Sequence, residues 1–195
     1  MRTASWRSPS AALLLICCGP LVSAQQLQIE TAEQDEAVLV NASAIMQVRP
    51  ATAWSVISDY EHLAEFVPGM HSSRVLQRNG NQVLVEQKGS LGFLFFRQAI
   101  EIRLAVNEWP QQRIIAHAVG GNLKQMDGSY TLETLADGRV RLSYSGRLVP
   151  AFTIPPLLGK AVVRQLLTRQ FKALVDEILR REALNLGSGN PPSKN

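Results

Sequence analysis

Pro155-Pro156-Leu157-Leu158-Gly159-Lys160-Ala161-Val162-Val163-Arg164-Gln165-Leu166-Leu167-Thr168-Arg169-Gln170-Phe171-Lys172-Ala173-Leu174-Val175-Asp176-Glu177-Ile178-Leu179-Arg180-Arg181-Glu182 is the stretch that decides the fold. Two prolines bar a strand and set a helix start. From Leu157 to about Glu182 the apolar residues Leu158, Val162, Leu167, Phe171, Leu174 and Ile178 recur at gaps suited to one helical face. Arg164, Arg169, Lys172, Arg180 and Arg181 lie mostly elsewhere. At ~1.5 Å per residue such a helix spans roughly 35–40 Å. Its apolar stripe needs a partner surface, and the preceding sequence supplies one.

That surface reads as strands. Ala37 to Val48 alternates, with Val38, Val40, Ala42, Ala44 and Met46 in one phase. Pro50 then opens a short helix. A second short helix runs from Tyr60 to Phe66, stopped by Pro68-Gly69. Asp59 lies between the two, where its carboxylate would cap the second. His71 to Gln77 and Gln82 to Gly89 flank Asn79-Gly80, a strong hairpin signal. Ser90-Leu91-Gly92 reads as a corner, and Phe93 to Val106 as a long strand. Arg113–Val119, Lys124–Leu135 and Arg139–Val149 follow, the last two joined at Asp137-Gly138. The order is β-α-α followed by six hairpin-linked strands and a long helix. The fold class is α+β, an antiparallel sheet of about seven strands with one face covered by the terminal helix.

Both ends differ from this body. Arg2 and Arg7, the apolar run Ala11–Cys18 and the small residues Val22-Ser23-Ala24 read as a signal peptide cleaved after Ala24. The run is too short to span a bilayer, which takes roughly 20 apolar residues. Residues 1–24 are thus a signal, 25–36 a flexible lead-in, 37–182 the folded domain and 183–195 a disordered tail. The expected location is outside the cytoplasm, in the periplasm. Loss of Arg2 and Arg7 brings Lys+Arg from 20 to 18 against 16 acidic residues, a net charge of +2. No basic cluster suited to nucleic acid remains. Cys17 and Cys18 lie within the signal, so the mature chain has neither disulfides nor thiolate chemistry. With 46% hydrophobic and 18% charged residues, a packed core carries its stability.

Three segments resemble the START-like (SRPBCC) superfamily, in its coenzyme Q-binding and polyketide cyclase/dehydrase branch. Val48-Arg49-Pro50-Ala51-Thr52-Ala53-Trp54-Ser55-Val56-Ile57-Ser58-Asp59-Tyr60 is similar to its opening, a proline before a helix that ends in V-x-x-D-Y. Phe66-Val67-Pro68-Gly69-Met70 is similar to its F-x-P-x turn. Gly121-Asn122-Leu123-Lys124-Gln125-Met126-Asp127-Gly128-Ser129-Tyr130 resembles its glycine followed by an aromatic-bearing strand. The resemblance covers about Ala37 to Arg181. It implies a helix-grip fold, a strongly curved sheet wrapped on the long helix. It also implies an internal cavity of several hundred Å3 for an apolar small molecule, a lipid or a quinone-like compound.

The candidate cavity residues are Phe66, Val67, Met70, Phe93, Phe95, His117, Met126, Tyr130, Tyr144, Phe152, Ile154, Leu158 and Val162. Phe93 to Phe96 is a continuous apolar run where a half-exposed strand would alternate: either both of its faces are covered or one meets lipid or ligand. Phe152 to Leu158 is a second apolar loop. With Phe66, Val67 and Met70 these would ring a mouth able to dock transiently on a membrane surface. His62, His71 and His117 have no metal-pair spacing, and no G-x-S-x-G elbow or phosphate loop occurs. No cofactor is implied. The reading is a carrier rather than an enzyme. A cyclase/dehydratase would need an acid/base pair from Tyr60, His117, Tyr130 and Tyr144, and a third possibility is an envelope protein-interaction module.

Overall fold

The computed structural model describes residues 26–34, 37–93, 96–151 and 159–187. Eight antiparallel strands form one sheet: β1 (Gln26–Gln34), β2 (Ala37–Met46), β3 (Met70–Asn79), β4 (Gln82–Phe93), β5 (Phe96–Trp109), β6 (Arg113–Gly121), β7 (Leu123–Thr134) and β8 (Val140–Pro150). Their spatial order is β1-β2-β8-β7-β6-β5-β4-β3. β2 and β3 therefore sit at opposite sides of the sheet. The chain crosses between them through α1 (Pro50–Ile57) and α2 (Leu63–Phe66). α3 (Gly159–Gly187) lies against the inner face and packs on α1.

Strand parity makes the core. Ala42, Ala44 and Met46 of β2, Val83 and Val85 of β4, Ile102, Leu104 and Val106 of β5 and Leu142 of β8 share the inner face. Phe171, Leu174, Val175 and Ile178 of α3 cover it. Three strands are bulged against their neighbours, and bulges bend a strand and sharpen its twist. Between Leu104↔Ala118 and Arg103↔Gly120, β6 carries an extra residue, Val119. His71 and Leu76 are the extra residues in β3. All three of these bulged side chains are exposed. The fourth shift is in β7, between Leu123 and Gln125.

Four expectations are corrected. The flexible lead-in is a strand: β1 pairs with β2 from Gln26↔Ile45 to Gln34↔Ala37. Leu27 and Ile29 pack against the core, so alternation continues where the polar composition concealed it. Ser90-Leu91-Gly92 is no corner, because it pairs with residues 97–99 in an unbroken β4–β5 ladder. α3 runs past Glu182 to Gly187, into the expected tail. Finally, the Asp59 side chain does not cap α2. It pairs with His62 Nδ1 at 2.6 Å and with Arg181 of α3 at 2.9 Å. The expected signal and residues 188–195 lie outside the described residues.

A charged seam joins α3 to α1. Arg49 pairs with Glu182 at 2.9 Å, and Arg181 bonds the Ser55 carbonyl at 3.2 Å. Glu177 accepts from Arg180 and Arg181 at 2.6–2.7 Å. Arg180 foremost, then Arg181, holds the Glu177 carboxyl down to about 2, against an ordinary 4.5. A depressed carboxylate contributes stability above its unfolded-state value and loses it as pH falls toward its folded one. Between about pH 4.5 and 2 the wild-type protein should lose stability more steeply than Glu177→Gln, as read from denaturant melts across that range. Equal slopes would show that the pairs contribute nothing.

Ile178 is fully buried at the centre of the helix-to-sheet contact. Ile178→Ala removes its packing and leaves a void, at a cost of about 2–5 kcal/mol. Thermal unfolding should register a clear drop in Tm. A Tm within a degree of wild type would mean that α3 does not carry the core.

Candidate ligand cavity

α3 does not fill the concave face of the sheet. A cavity of about 160 Å3 remains, walled by β2, β4 to β8, the α1–α2 connection and α3. Alternation points Val40 and Ala42, Leu104 and Val106, Ile114 and Ala116, and Tyr130 and Tyr144 into it. Ile57, Tyr60 and Leu63 close it from the crossover, and Leu167, Phe171 and Leu174 from the helix. A second chamber of about 160 Å3 adjoins it, lined by Leu91, Ile100, Ile102, Leu123, Leu148 and Leu166 among others. Each is smaller than the several hundred Å3 expected, because large side chains stand between them.

The polar groups of the inner chamber are few. Tyr130 and Tyr144 lie with ring centroids 4.7 Å apart, tilted by 40°. They are deep in the molecule yet only half-buried, because their accessible surface is the cavity wall. Burial pushes the Tyr144 phenol up to about 12, and Tyr130 higher still with some help from Tyr144. Gly128 and Gly146 face each other across β7 and β8. A Cβ on Gly146 would come within 2.4 Å of the Tyr144 Oη, so the bare backbone makes room for that ring.

Beside Tyr60, outside the chamber lining, Arg78 grips the buried Glu108 through two bonds of 2.8 and 3.3 Å. The Tyr60 hydroxyl is buried near that pair but makes no hydrogen bond. Burial first, and the Glu108 charge second, raise its pKa far above the usual phenol value. Gln170 of α3 donates to the Pro68 carbonyl at 3.1 Å, tying the helix to the loop before β3.

Of the expected cavity residues, Val67, Met70, Met126, Tyr130 and Tyr144 line the space. Two expectations are corrected. His117 points to the outer face, half-exposed, with Nδ1 2.6 Å from Asp127, because β6 parity gives the inside to Ile114 and Ala116. Phe66 packs against the core, with the Arg181 guanidinium 5.9 Å from its ring centroid, and does not line the chamber. Phe93 is in β4 and Val162 in α3. Phe95, Phe152, Ile154 and Leu158 lie outside the described residues. Sequence reasoning missed Ala116, Gly128, Gln87 and Gln170 as lining. Ala116 was legible, since it shares phase with Ile114. Gln170 follows Leu167 and precedes Phe171 on the gripping face, but its polarity hid it.

A long helix laid on a bent antiparallel sheet over an apolar hollow is the architecture expected from the START-like resemblance. The profile of the polyketide cyclase/dehydrase and lipid transport family matches residues 46–175. The chain belongs to this family. No curated protein matches it in sequence. Among solved structures, the Zhui aromatase/cyclase from Streptomyces sp. R1128 aligns at 14% identity with a TM-score of 0.63, over 77% of this chain and 96% of that one. The STAR-related lipid transfer protein from Xanthomonas axonopodis (fragment 25–204) aligns at 14% identity and 0.62, over 80% and 94%. A START superfamily protein from Mycobacterium smegmatis aligns at 14% and 0.57, over 75% and 97%. At such identities these likenesses bear on the fold, which is helix-grip α+β. No helix among the described residues is long and apolar enough to cross a membrane.

Proposed function

We propose that this member of the polyketide cyclase/dehydrase and lipid transport family is an exported carrier of an apolar small molecule or lipid, quinone-like in its chemistry. The observation that carries this reading is the character of the cavity wall. The described lining of the inner chamber is apolar apart from three phenols and two glutamines, with no carboxylate, imidazole or ammonium. Affinity then comes from removing apolar ligand surface from water, at roughly 25 cal/mol per Å², and the few polar groups set orientation. The signal-like residues 1–24 support export to the periplasm, where the protein would exchange cargo at a membrane face.

A second reading, cyclase/dehydratase chemistry, rests on Tyr60, Tyr130 and Tyr144 facing the chamber. Their raised pKa values make them hydrogen-bond donors rather than bases at neutral pH. The imidazole of His117, the base such chemistry would call on, stands on the outer face.

Native mass spectrometry with lipid extraction, on protein exported and purified from an envelope, tests the carrier reading. A co-purifying apolar compound near one per chain, on a protein whose mass begins at Gln25, is the expected result. An empty protein that takes up neither quinones nor fatty acids would sink it.

A further inference from the structure

The two chambers share a wall. Met70, Gln87, Met126, Leu167 and Gln170 border both. At about 160 Å3 each, neither reaches the roughly 300–1,000 Å3 of typical ligand sites. Joined, they enter that range. The dividing wall is well suited to parting, because two of its members are methionines, whose unbranched side chains change shape at low cost. The resulting space is elongated, from Tyr130–Tyr144 at one end to Leu91 and Leu148 at the other.

The ends differ in chemistry. The inner one holds the phenol pair, with Tyr144 laid over Gly128 and Gly146. Among the described residues neither hydroxyl has a hydrogen-bond partner. Their raised pKa values keep both as O–H donors throughout the neutral range. Among the described residues the lining of the inner chamber holds no cation, and Arg78, beside Tyr60, is paired with Glu108. The outer chamber's Lys88 is engaged by Glu101 at 2.9 Å and Glu86 at 3.8 Å. An anionic head group buried here would lack a counter-charge, which is strongly unfavourable.

We infer that the ligand is an elongated, uncharged apolar molecule seated oxygen-first, its ketone or hydroxyl oxygen accepting a hydrogen bond from the Tyr130–Tyr144 pair and its chain passing between Met70 and Met126 into the outer chamber. The inference deepens the carrier reading and rests on it. It names the class: long-chain alcohols and ketones, and not fatty acids.

Delipidated protein is loaded with the neutral dye N-phenylnaphthylamine and titrated at neutral pH with hexadecanol, a methyl ketone of equal length, or palmitate. The alcohol and the ketone should displace dye at least about tenfold more strongly than palmitate, about 1.4 kcal/mol. In the Tyr130→Phe/Tyr144→Phe double variant, alcohol and ketone should weaken roughly three- to tenfold, as for one lost hydrogen bond, after correction by direct dye titration of the same variant. Met126→Trp should spare octanol and lose hexadecanol. Palmitate binding as well as hexadecanol, or a double variant equal to wild type, would overturn the inference while leaving the carrier reading intact. A protein that takes up neither dye nor any of the three would remove the carrier reading itself.

Discussion

Ala116→Trp will abolish uptake of neutral apolar ligands and leave the fold standing. Ala116 lies in the middle of β6, paired with Val106 on one side and Gly128 on the other. Its methyl group faces the inner chamber. An indole at that position projects into the hollow and meets the wall formed by Phe171 and Leu174 of α3. A space of about 160 Å3 cannot hold both the indole and a ligand. Because the side chain enters an existing hollow rather than a filled core, the overpacking cost should stay near the lower end of roughly 1–3 kcal/mol. Dye and alcohol binding should fall at least about a hundredfold, equivalent to about 2.7 kcal/mol, with Tm within a few degrees of wild type. Unchanged binding would place the ligand site elsewhere on the molecule.

Gly121→Val should be the most damaging single change in the sheet. Gly121 has φ +114, and a Cβ built there would come 2.0 Å from the Glu101 carbonyl oxygen and 2.7 Å from the Ile102 Cα. Both are backbone atoms and cannot swing aside. The same spot is clamped by Asn122, which donates to the Glu101 carbonyl at 2.9 Å through its backbone and to the Ala99 carbonyl at 2.7 Å through its side chain. Strain at such a φ costs of order 1–3 kcal/mol, and overpacking adds a similar amount. Together they should take about 3–5 kcal/mol from the folded state. At roughly 2–4 °C per kcal/mol for a chain of this size, Tm should fall by about 6–20 °C. Gly80→Ala and Gly138→Ala are the controls. Both positions have positive φ, +57 and +80, but a Cβ there meets nothing within 4 Å, so each should cost only about 1 kcal/mol. Equal losses at all three glycines would show that conformation alone, and not the close approach to β5, fixes Gly121.

Much of the site was legible in the sequence because strand parity is a local property. Tyr130 and Tyr144 stand on the inner face through the same two-residue period that places Leu132 and Leu142 in the core. His117 was misjudged since its neighbours Ala116 and Ala118 are too small to mark which phase is apolar. Ile114, two residues before Ala116, settles it once β6 is seen beside β5. The β1 strand was missed for a different reason. It is an edge strand with a polar outer face, and its pairing with β2 supplies order that Gln, Glu and Thr do not announce by themselves.

The sequence by itself determined the order of elements from β2 onward, the antiparallel hairpins at Asn79-Gly80 and Asp137-Gly138, and the long helix that must cover them. These follow from the chain's own periodicity and from backbone freedom at glycine and proline. Only the tertiary structure decided that the hollow under α3 is split in two, that Tyr144 lies flat over Gly128 and Gly146, and that Asp59 joins Arg181 rather than capping α2. The reason is physical: Asp59 meets Arg181, and Val40 shares the hollow with Leu174, each pair more than a hundred positions apart along the chain. The depth of a cavity is set by how far bulges bend the sheet away from the helix, a distance that no local pattern encodes.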